Sequence, residues 1–309
     1  MKAHYLSLRP LILWWQAERP IDWAQRFGRD APLEVEIGFG NGDFLVRRAA
    51  EHPECDFVGI EIEWPAVRRA LRRIAQSEVN NVRLLQVDAR VALERLFEPR
   101  SLRRVYSLFP CPWPKERHVG RRLFGRDFLR LVNSRLVEGG EAQVVTDLWP
   151  YVDWVLDQVM GTGLAARWQP IPPRFGTKYE AKWRGQGQEQ FYDLRLFQVQ
   201  PVDVPLVHDI PLQPRKLPLF EPGAFRPADQ AGEVTVAFKE LLVDPQRQKA
   251  MLRTVVVEGH LTQHLWIVIE RQQDGWWVWP SPGCAWLPTA GLQQALDAVA
   301  KSSEFQRNF

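Results

Sequence analysis

The sequence LEVEIGFGNGDFLV runs from Leu33 to Val46 and predicts a buried strand that turns sharply into a helix. Glycines at alternate positions, Gly38, Gly40 and Gly42, allow backbone dihedrals that a Cβ atom would forbid and let a ligand approach the main chain. A dinucleotide fingerprint would continue with glycine at position 43, where this chain has Asp43. The pattern therefore disfavours NAD as the ligand.

Acidic residues stand at the ends of the first two predicted strands. Glu36 closes the first strand and suits a ligand with a cationic amino-acid end better than a pyrophosphate. Glu61 closes the apolar run Phe57–Ile60, at the position where such folds bind a ribose diol. This arrangement resembles the S-adenosylmethionine pocket of Rossmann-like methyltransferases. An ordinary β–α turn without a ligand is the alternative that the glycine turn alone leaves open.

Strands continue to alternate with helical stretches up to residue 200. The further predicted strands are Asp56–Ile62, Val82–Val87, Arg104–Phe109, Ala142–Thr146, Ala165–Gln169 and Gln190–Val199. The alternation predicts a mostly parallel sheet with helices on both faces. Because ligands bind outside the carboxyl ends of such strands, Asp88 and Asp147 are expected at the same edge as Glu36. Asp88 is suited to accept a hydrogen bond from an adenine amino group.

The loop at 110–122, PCPWPKERHVGRR, is the most specific motif in the chain. Three prolines around a tryptophan predict a stiff, non-helical segment. Basic residues follow within the loop: Lys115, Arg117, His118, Arg121 and Arg122. They either position phosphates beside the ligand or form an ordinary solvated loop. The same two alternatives apply to four arginines on one face of the predicted helix Trp64–Glu78: Arg68, Arg69, Arg72 and Arg73.

These motifs resemble the bacterial tRNA (guanine-N7-)-methyltransferase family over about residues 20–200. The residues that carry the resemblance are Glu36 to Gly42, Phe109-Pro110-x-Pro112-Trp113-Pro114-Lys115-x-Arg117-His118-x-x-Arg121-Arg122, Thr146-Asp147 and Thr177-Lys178-Tyr179-Glu180. The resemblance implies an α/β, Rossmann-like fold of S-adenosylmethionine-dependent methyltransferases. It also implies transfer of a methyl group from S-adenosylmethionine to N7 of a guanosine in the tRNA variable loop.

The resemblance assigns residues to the cofactor and to the tRNA. The cofactor-binding residues would be Glu36, Gly38, Gly40, Gly42, Glu61, Asp88 and Cys111. The substrate-binding residues would be Lys115, Asp147, Thr177, Lys178, Tyr179 and Glu180. Asp147 and Glu180 are expected to accept hydrogen bonds from N1–H and the exocyclic amine of guanine. Contacts to tRNA phosphates are expected from Arg117, His118, Arg121 and Arg122.

Cys111 stands where the family has an aspartate that is regarded as its catalytic residue and as a cofactor contact. Guanine N7 carries a free lone pair and no proton, so catalysis can rest on placing nucleophile and methyl group in line, without a general base. A carboxylate would stabilise the positive charge that develops on the purine, and cysteine supplies such a charge only as a thiolate. By its position in the family motif, the resemblance implies Cys111 as the catalytic residue. The alternatives are a small neutral side chain that fills the gap, or another acid that has taken over.

Composition narrows the class of protein further. A length of 309 residues exceeds what one α/β domain usually needs and predicts two domains. No apolar run approaches the roughly twenty residues of a membrane span, and no signal peptide is recognisable. The cysteine usage favours a reducing cytoplasm, so a cytoplasmic protein is expected. Three scattered cysteines, Cys55, Cys111 and Cys284, predict neither a disulfide framework nor a zinc site. A net charge of +3 confines any nucleic-acid-binding surface to a patch, and the oligomeric state stays open.

The composition changes beyond Gln200. Residues 1–200 are predicted to form the methyltransferase domain, 201–231 a proline-rich connector, and 232–309 a smaller accessory α+β domain of unknown role. The tryptophans of the predicted hairpin strand Trp276–Trp279 either stack nucleobases or pack in a core. His260 and His264 have helical spacing but no third ligand, so no metal site is expected.

Two other functions remain open from the sequence. The chain could be a tRNA-binding protein of the same fold whose catalysis is weakened or lost through Cys111. It could also be a methyltransferase for a small molecule, an alternative that the basic loop at 110–122 disfavours.

Overall fold

A computed structural model of the chain describes residues 6–304. The chain divides into two compact units, Met1–Val207 and His208–Phe309. The first unit extends past Gln200 because buried side chains hold the backbone there. Asn133 accepts a hydrogen bond from the Val202 N–H at 3.3 Å, and Arg135 donates one to the Val204 carbonyl at 2.9 Å. Within residues 6–304, no helix is long and apolar enough to span a membrane.

The first unit alternates strands and helices. Its strands are β1 (Leu11–Ile12), β2 (Leu33–Ile37), β3 (Asp56–Glu61), β4 (Val82–Gln86), β5 (Leu102–Leu108), β6 (Leu136–Thr146), β7 (Leu164–Ile171) and β8 (Phe191–Gln198). Its α-helices are α1 (Trp23–Phe27), α2 (Asp43–Glu51), α3 (Trp64–Ser77), α4 (Ala89–Arg95), α5 (Arg126–Arg135), α6 (Trp149–Val159) and α7 (Lys178–Arg184). A 3₁₀ helix spans Glu116–Arg121.

The strands of the first unit form one eight-stranded sheet in the order β1-β4-β3-β2-β5-β6-β8-β7. All pairings are parallel from β1 to β6, and β8 runs antiparallel between β6 and β7. The chain order reverses at β2, which has β3 on one side and β5 on the other. This topology confirms the Rossmann-like α/β fold class. Ligands of such sheets bind outside the carboxyl ends of the strands at the reversal point.

The packing around β2 follows from its sequence. Every residue of β2 is buried, as expected for a central strand with both faces covered. Beyond the strand, Phe39 and Leu45 join a core cluster with Val67 and Leu71 of α3. A Cβ atom on Gly42 would lie 2.9 Å from the Ala70 Cβ, so glycine is needed for α2 to start this close to α3. The turn between β2 and α2 is therefore held in place by the core.

The second unit is a five-stranded antiparallel sheet with one helix. Its elements are β9 (Arg215–Leu217), β10 (Val234–Asp244), β11 (Lys249–Glu258), β12 (Leu261–Gln272), β13 (Gly275–Pro280) and α8 (Ala290–Glu304). Leu292, Leu296 and Val299 of α8 are fully buried in the core of this unit. The predicted α+β class of the C-terminal part is confirmed. Residues 305–309 of the predicted accessory domain lie outside the described residues.

The expected connector at 201–231 is wrong in one respect. It contains β9, which pairs with β13 at the edge of the second sheet, so part of this stretch is a strand of the folded unit. Pro214 and Pro218 flank β9 and conceal it in the sequence, since proline within a short segment argues against a strand. Because β9 is an edge strand, the backbone N–H groups that these prolines lack are not needed to pair with a further strand.

The C-terminal tryptophans and histidines also have defined surroundings. Trp276 packs against Phe220 at a ring-centroid distance of 5.1 Å and lies beside the core of the second unit. Trp277 donates a hydrogen bond to Asp274 at 2.8 Å. His260 and His264 belong to no group of three or more metal-ligating side chains in the part of the chain that the structure describes.

Candidate active site

A cleft at the carboxyl edge of the first sheet unites residues that are far apart in the sequence. The residues that line it are Glu36, Gly38, Phe39, Gly40, Asn41, Asp43, Arg69, Leu108, Thr177, Lys178 and Tyr179. The turn Gly38–Gly42 forms one side of the cleft, and the loop at 174–180 forms another. The predicted cofactor-binding turn and part of the predicted substrate-binding loop therefore share one cleft.

The glycine turn leaves room for a ligand. Gly38 and Gly40 have positive φ angles of +72° and +56°, which L-residues with side chains rarely adopt. No heavy atom lies within 4 Å of the position that a Cβ atom would take at either residue. Packing therefore does not explain these two glycines, but their positive φ angles do, and the open space beside them leaves room for a ligand to approach the main chain.

Glu36 is the most unusual group in the cleft. Its side chain is only 2% exposed, and its Oε2 atom has no hydrogen-bond partner among the described residues. The pKa of the Glu36 carboxyl is raised to about 8, chiefly by burial and also by the nearby carboxylates of Asp43 and Glu61, while Arg47 opposes the rise. An unpaired buried acceptor costs free energy unless a partner arrives. A cationic ligand group at this point would remove that cost.

Glu61 and Asp88 lie at the ends of β3 and β4. Glu61 accepts a hydrogen bond from the Gly40 N–H at 3.1 Å and one from the Ile62 N–H at 2.9 Å, so it is tied to the glycine turn. Asp88 caps α4 through the Arg90 N–H at 2.7 Å. Neither carboxylate is among the residues that line the cleft. Their expected contacts to a ribose and an adenine remain predictions.

The loop at 174–180 is held together by Glu180. This side chain is 3% exposed, and its two oxygens accept hydrogen bonds from the backbone N–H groups of Arg174, Phe175 and Gly176. Thr177 caps α7 by accepting from the Glu180 N–H at 3.2 Å. Glu180 therefore shapes the loop in this structure. The predicted hydrogen bonds from guanine to Glu180 would have to replace these backbone contacts.

Lys178, Tyr179 and Asp147 are more accessible. Lys178 and Tyr179 are exposed at the cleft, with Tyr179 47% exposed. Asp147 follows β6 and is half-buried. Burial raises the pKa of the Asp147 carboxyl, and the nearby Lys182 opposes this. All three side chains remain candidates for contact with a substrate.

Within the loop at 110–122, the Arg122 side chain forms hydrogen bonds with the proline–tryptophan segment. Arg122 donates to the Pro112 carbonyl at 2.8 Å and to the Trp113 carbonyl at 3.4 Å, and its guanidinium stacks on the Trp154 ring at 5.0 Å. Arg122 therefore holds the loop through its Nε and Nη2 atoms, and its contact to a tRNA phosphate remains a prediction. The expected non-helical character holds only as far as Pro114, since a 3₁₀ helix follows where prolines no longer restrict the backbone.

The other basic residues of this loop face solvent. Lys115, Arg117 and Arg121 are exposed, and His118 is partly exposed. Arg121 lies over the Trp113 ring at 5.1 Å, and His118 packs edge-on against the same ring at 5.6 Å. Cys111 is exposed on the same loop, with Phe109 and Pro110 between it and the end of β5. The loop therefore presents three cations and a thiol near the carboxyl edge of the sheet.

Sequence reasoning missed the role of two arginines on α3. Arg69 donates to the Asn41 side chain at 2.5 Å, and Arg73 pairs with Asp43 at 2.5 Å, so both hold the glycine turn. Their spacing of four residues was the available signal, but the partners lie on another element. Arg68 and Arg72 are exposed, and the solvated-face and phosphate alternatives stay open for them.

The fold and the cleft define a doubly wound α/β protein with a ligand site at the reversal point of its sheet. Residues 30–193 match the sequence model of a family described as "Putative methyltransferase", and the chain belongs to this family. The second unit lies outside the matched residues.

Curated relatives agree with this membership. The tRNA (guanine-N(7)-)-methyltransferase of Chlorobium phaeobacteroides is 43% identical over 182 residues, which cover 59% of this chain and 89% of the relative. The enzyme of the same name from Thermotoga maritima is 39% identical, with 56% of each chain covered. Among solved structures, the 16S rRNA methyltransferase KamB aligns with 58% of this chain at 14% identity, with a TM-score of 0.46.

Proposed function

We propose that this chain transfers a methyl group from S-adenosylmethionine to N7 of a guanosine in tRNA, and that this guanosine lies in the variable loop. The observation that carries the proposal is Glu36, a buried carboxylate with an unpaired oxygen beside the open glycine turn. S-adenosylmethionine has a cationic amino-acid end that matches this acceptor. Relatives that are tRNA (guanine-N(7)-)-methyltransferases support the choice of substrate.

The residues present fit this cofactor. Glu36 would accept from the ammonium group, and the open faces of Gly38 and Gly40 would admit the main body of the molecule. Glu61 would accept from the ribose hydroxyls and Asp88 from the adenine amine, because each closes the neighbouring strand. When bound, the cofactor supplies an activated methyl group on a positively charged sulfur.

The task of the chain is to place guanine N7 in line with that methyl group. N7 already has a free lone pair, so no side chain needs to remove a proton from it. Asp147 would accept from the Watson–Crick edge of the guanine, since N1–H and the exocyclic amine distinguish guanine from adenine. Lys178 and Tyr179, exposed at the cleft, would contact the same nucleotide.

Nucleoside mass spectrometry tests the function. Unmodified tRNA is incubated with the chain and isotope-labelled S-adenosylmethionine, digested, and analysed for labelled N7-methylguanosine, with ribonuclease mapping of its position. We expect one labelled guanosine in the variable loop. Binding of cofactor and tRNA without any labelled nucleoside would instead support the non-catalytic tRNA-binding alternative. Label in a small molecule and none in tRNA would support the small-molecule alternative.

The exposed cations of the 110–122 loop are predicted to contact tRNA phosphates. Replacing Arg117 and Arg121 together with Ala should weaken tRNA binding and flatten its dependence on salt by about one unit of slope per lost contact. Binding isotherms at several salt concentrations measure this slope. Arg26→Ala on α1, also an exposed arginine, is the matched control and should leave the slope unchanged. An unaltered slope in the double variant would mean that these arginines do not contact phosphate and that the loop is an ordinary solvated one.

Asp147 is predicted to act on the substrate and not on the cofactor. Asp147→Asn replaces one acceptor oxygen with a donor, so methyl transfer should fall at least about tenfold, the cost of one lost hydrogen bond to a charged group. Calorimetry should show cofactor affinity close to that of the wild type. Asp153→Asn, an exposed carboxylate on α6, is the control. A collapse of cofactor affinity in Asp147→Asn would refute this assignment.

A further inference from the structure

We infer that Arg47, on the helix that follows the glycine turn, is a positioning residue that holds the turn Arg174–Gly176 and thereby keeps Thr177–Tyr179 at the cofactor cleft. The effect on methyl transfer rests on the proposed function. The effect on the loop itself does not, and the two are measured separately below.

The guanidinium of Arg47 connects the cofactor side of the cleft to the substrate side. Its Nη2 atom donates a hydrogen bond of 2.5 Å to the carbonyl of Phe175, which lies 128 residues further along the chain. Gly176 makes this approach possible. A Cβ atom on Gly176 would lie 3.0 Å from the Arg47 Nη1 atom, and the residue has a φ of +61° that favours glycine.

The same turn is also held by Glu180. Its carboxylate accepts hydrogen bonds from the N–H groups of Arg174, Phe175 and Gly176, while Arg47 donates to the carbonyl of Phe175. Hydrogen bonds to charged groups are stronger than those between neutral groups. The charged donor Arg47 and the charged acceptor Glu180 therefore both hold the backbone of this turn.

Two side-chain contacts complete the attachment. Arg174 pairs with the fully buried Asp193 of β8 at 2.7 Å, and the Phe175 ring packs edge-on against Phe44 of α2 at 5.8 Å. Phe44 and Arg47 are on the same helix, so α2 contributes both an apolar contact and a charge-assisted hydrogen bond to the turn. Arg47 also acts on Glu36, the acid proposed to bind the cofactor, because its charge lowers the pKa of that carboxyl.

The position of this turn matters because Thr177, Lys178 and Tyr179 follow it directly and line the cleft with Glu36. A displacement of about 1 Å between reacting groups can cost about a hundredfold in rate. Loss of Arg47 should therefore lower kcat and leave the KM for tRNA nearly unchanged. A rival role exists, because the side chain is 40% exposed and could contact phosphate. That role would raise KM and flatten its salt dependence instead.

Arg47 has a second measurable consequence. Glu36 is faced by the carboxylates of Asp43 and Glu61 and by the guanidinium of Arg47, which is the side-chain charge that lowers its pKa. Removing the guanidinium leaves burial and the two carboxylates to act alone. The pH at which Glu36 ionises should then rise, and the pH dependence of cofactor binding should move to higher pH with it.

The experiment compares Arg47→Gln and Arg47→Lys with the control Glu51→Gln. Glu51 is the i+4 ion-pair partner of Arg47 at 3.7 Å and is 55% exposed. With saturating cofactor, we expect kcat for tRNA to fall about tenfold to hundredfold in Arg47→Gln, with KM within twofold. Arg47→Lys should recover part of the rate, and Glu51→Gln should match the wild type. An unchanged kcat, or a raised KM with a flatter salt dependence, would overturn the inference.

Hydrogen exchange tests the same inference without any methyl transfer. The amides of Arg174, Phe175 and Gly176 should exchange faster in Arg47→Gln than in the wild type, and at wild-type rates in Glu51→Gln. The pH dependence of S-adenosylmethionine binding should move upward only in Arg47→Gln. If the wild type fails to methylate tRNA while these shifts occur, the proposed function falls and the role of Arg47 in the turn stands. Unchanged exchange would remove that role whatever the activity.

Discussion

Cys111→Asp is expected to raise the rate of methyl transfer about tenfold to hundredfold, the range in which one well-placed electrostatic contact acts. The guanine gains positive charge as its N7 accepts the methyl group, and a carboxylate nearby stabilises that charge. Cys111 is exposed shortly after the end of β5, on a loop that also presents Lys115, Arg117 and Arg121. Cysteine has no carboxylate, so the wild type lacks this carboxylate counter-charge at position 111.

The controls separate charge from shape. Cys111→Asn has nearly the shape of the aspartate and no charge, so its rate should stay near that of the wild type. Affinities for tRNA and cofactor should change much less than the rate in both variants. The measurement is single-turnover methyl transfer with labelled cofactor, which isolates the chemical step from product release.

Two other outcomes would identify different roles for Cys111. A wild-type rate that climbs as the thiol ionises, and a Cys111→Ser variant without that climb, would show that a thiolate already supplies the charge. If the Cys111→Asp variant binds tRNA and cofactor but still methylates nothing, the enzyme assignment is refuted. The tRNA-binding alternative would then stand.

Glu36→Gln is expected to weaken S-adenosylmethionine binding by about 2 kcal/mol, or roughly thirtyfold, because a charge-assisted hydrogen bond to the ammonium becomes a neutral one. The loss should depend on pH. In the wild type, the raised pKa of about 8 keeps the Glu36 carboxyl mostly protonated at pH 6.5, and binding an ammonium must release that proton. Wild-type affinity should therefore increase as pH rises toward 8, while the variant should lack this increase. Calorimetry in buffers of different ionisation enthalpy measures the released proton.

The same substitution should stabilise the ligand-free protein at high pH. The unfolded chain ionises Glu36 near its usual pKa of 4.5, whereas the folded chain holds the proton up to about pH 8. The folded state thus binds more protons between these values, so Glu36 lowers the free energy of unfolding progressively from about pH 4.5 to 8. Glutamine does not ionise, so the Glu36→Gln variant avoids this decrease in the free energy of unfolding. It should unfold at a higher temperature than the wild type at pH 8.5.

A pH series with a matched control checks the stability effect. The two proteins should have similar unfolding temperatures at about pH 3.5, below the unfolded-state pKa of 4.5, where the carboxyl is mostly protonated in both folded and unfolded wild type. Glu63→Gln, which changes an exposed carboxylate beside α3, should follow the wild type throughout. Parallel curves for Glu36→Gln and wild type would mean that Glu36 is ionised and satisfied in the ligand-free protein.

Much of the candidate site was predictable because its signals are local. These signals are patterns of neighbouring residues: the glycine spacing, the acid at the end of β2 and the proline–tryptophan loop. In the structure, Glu36 lies near the end of β2, the glycine turn follows that strand as expected, and both line the cleft. The short strand β9 was not predictable, since it is a strand only through pairing with β13. Flanking prolines obscured it further.

The sequence by itself determined the doubly wound sheet, the edge at which the ligand cleft lies, and the residue types that meet there. Those properties follow from hydrophobic periodicity and from glycines that no other residue can replace. Only the tertiary structure decided which charged side chains remain available. In this structure, Glu180 and Arg122 form hydrogen bonds with backbone groups of their own loops, and Arg47 donates a hydrogen bond to the carbonyl of Phe175. Such pairings depend on how strands and helices place distant residues side by side, which no local pattern encodes.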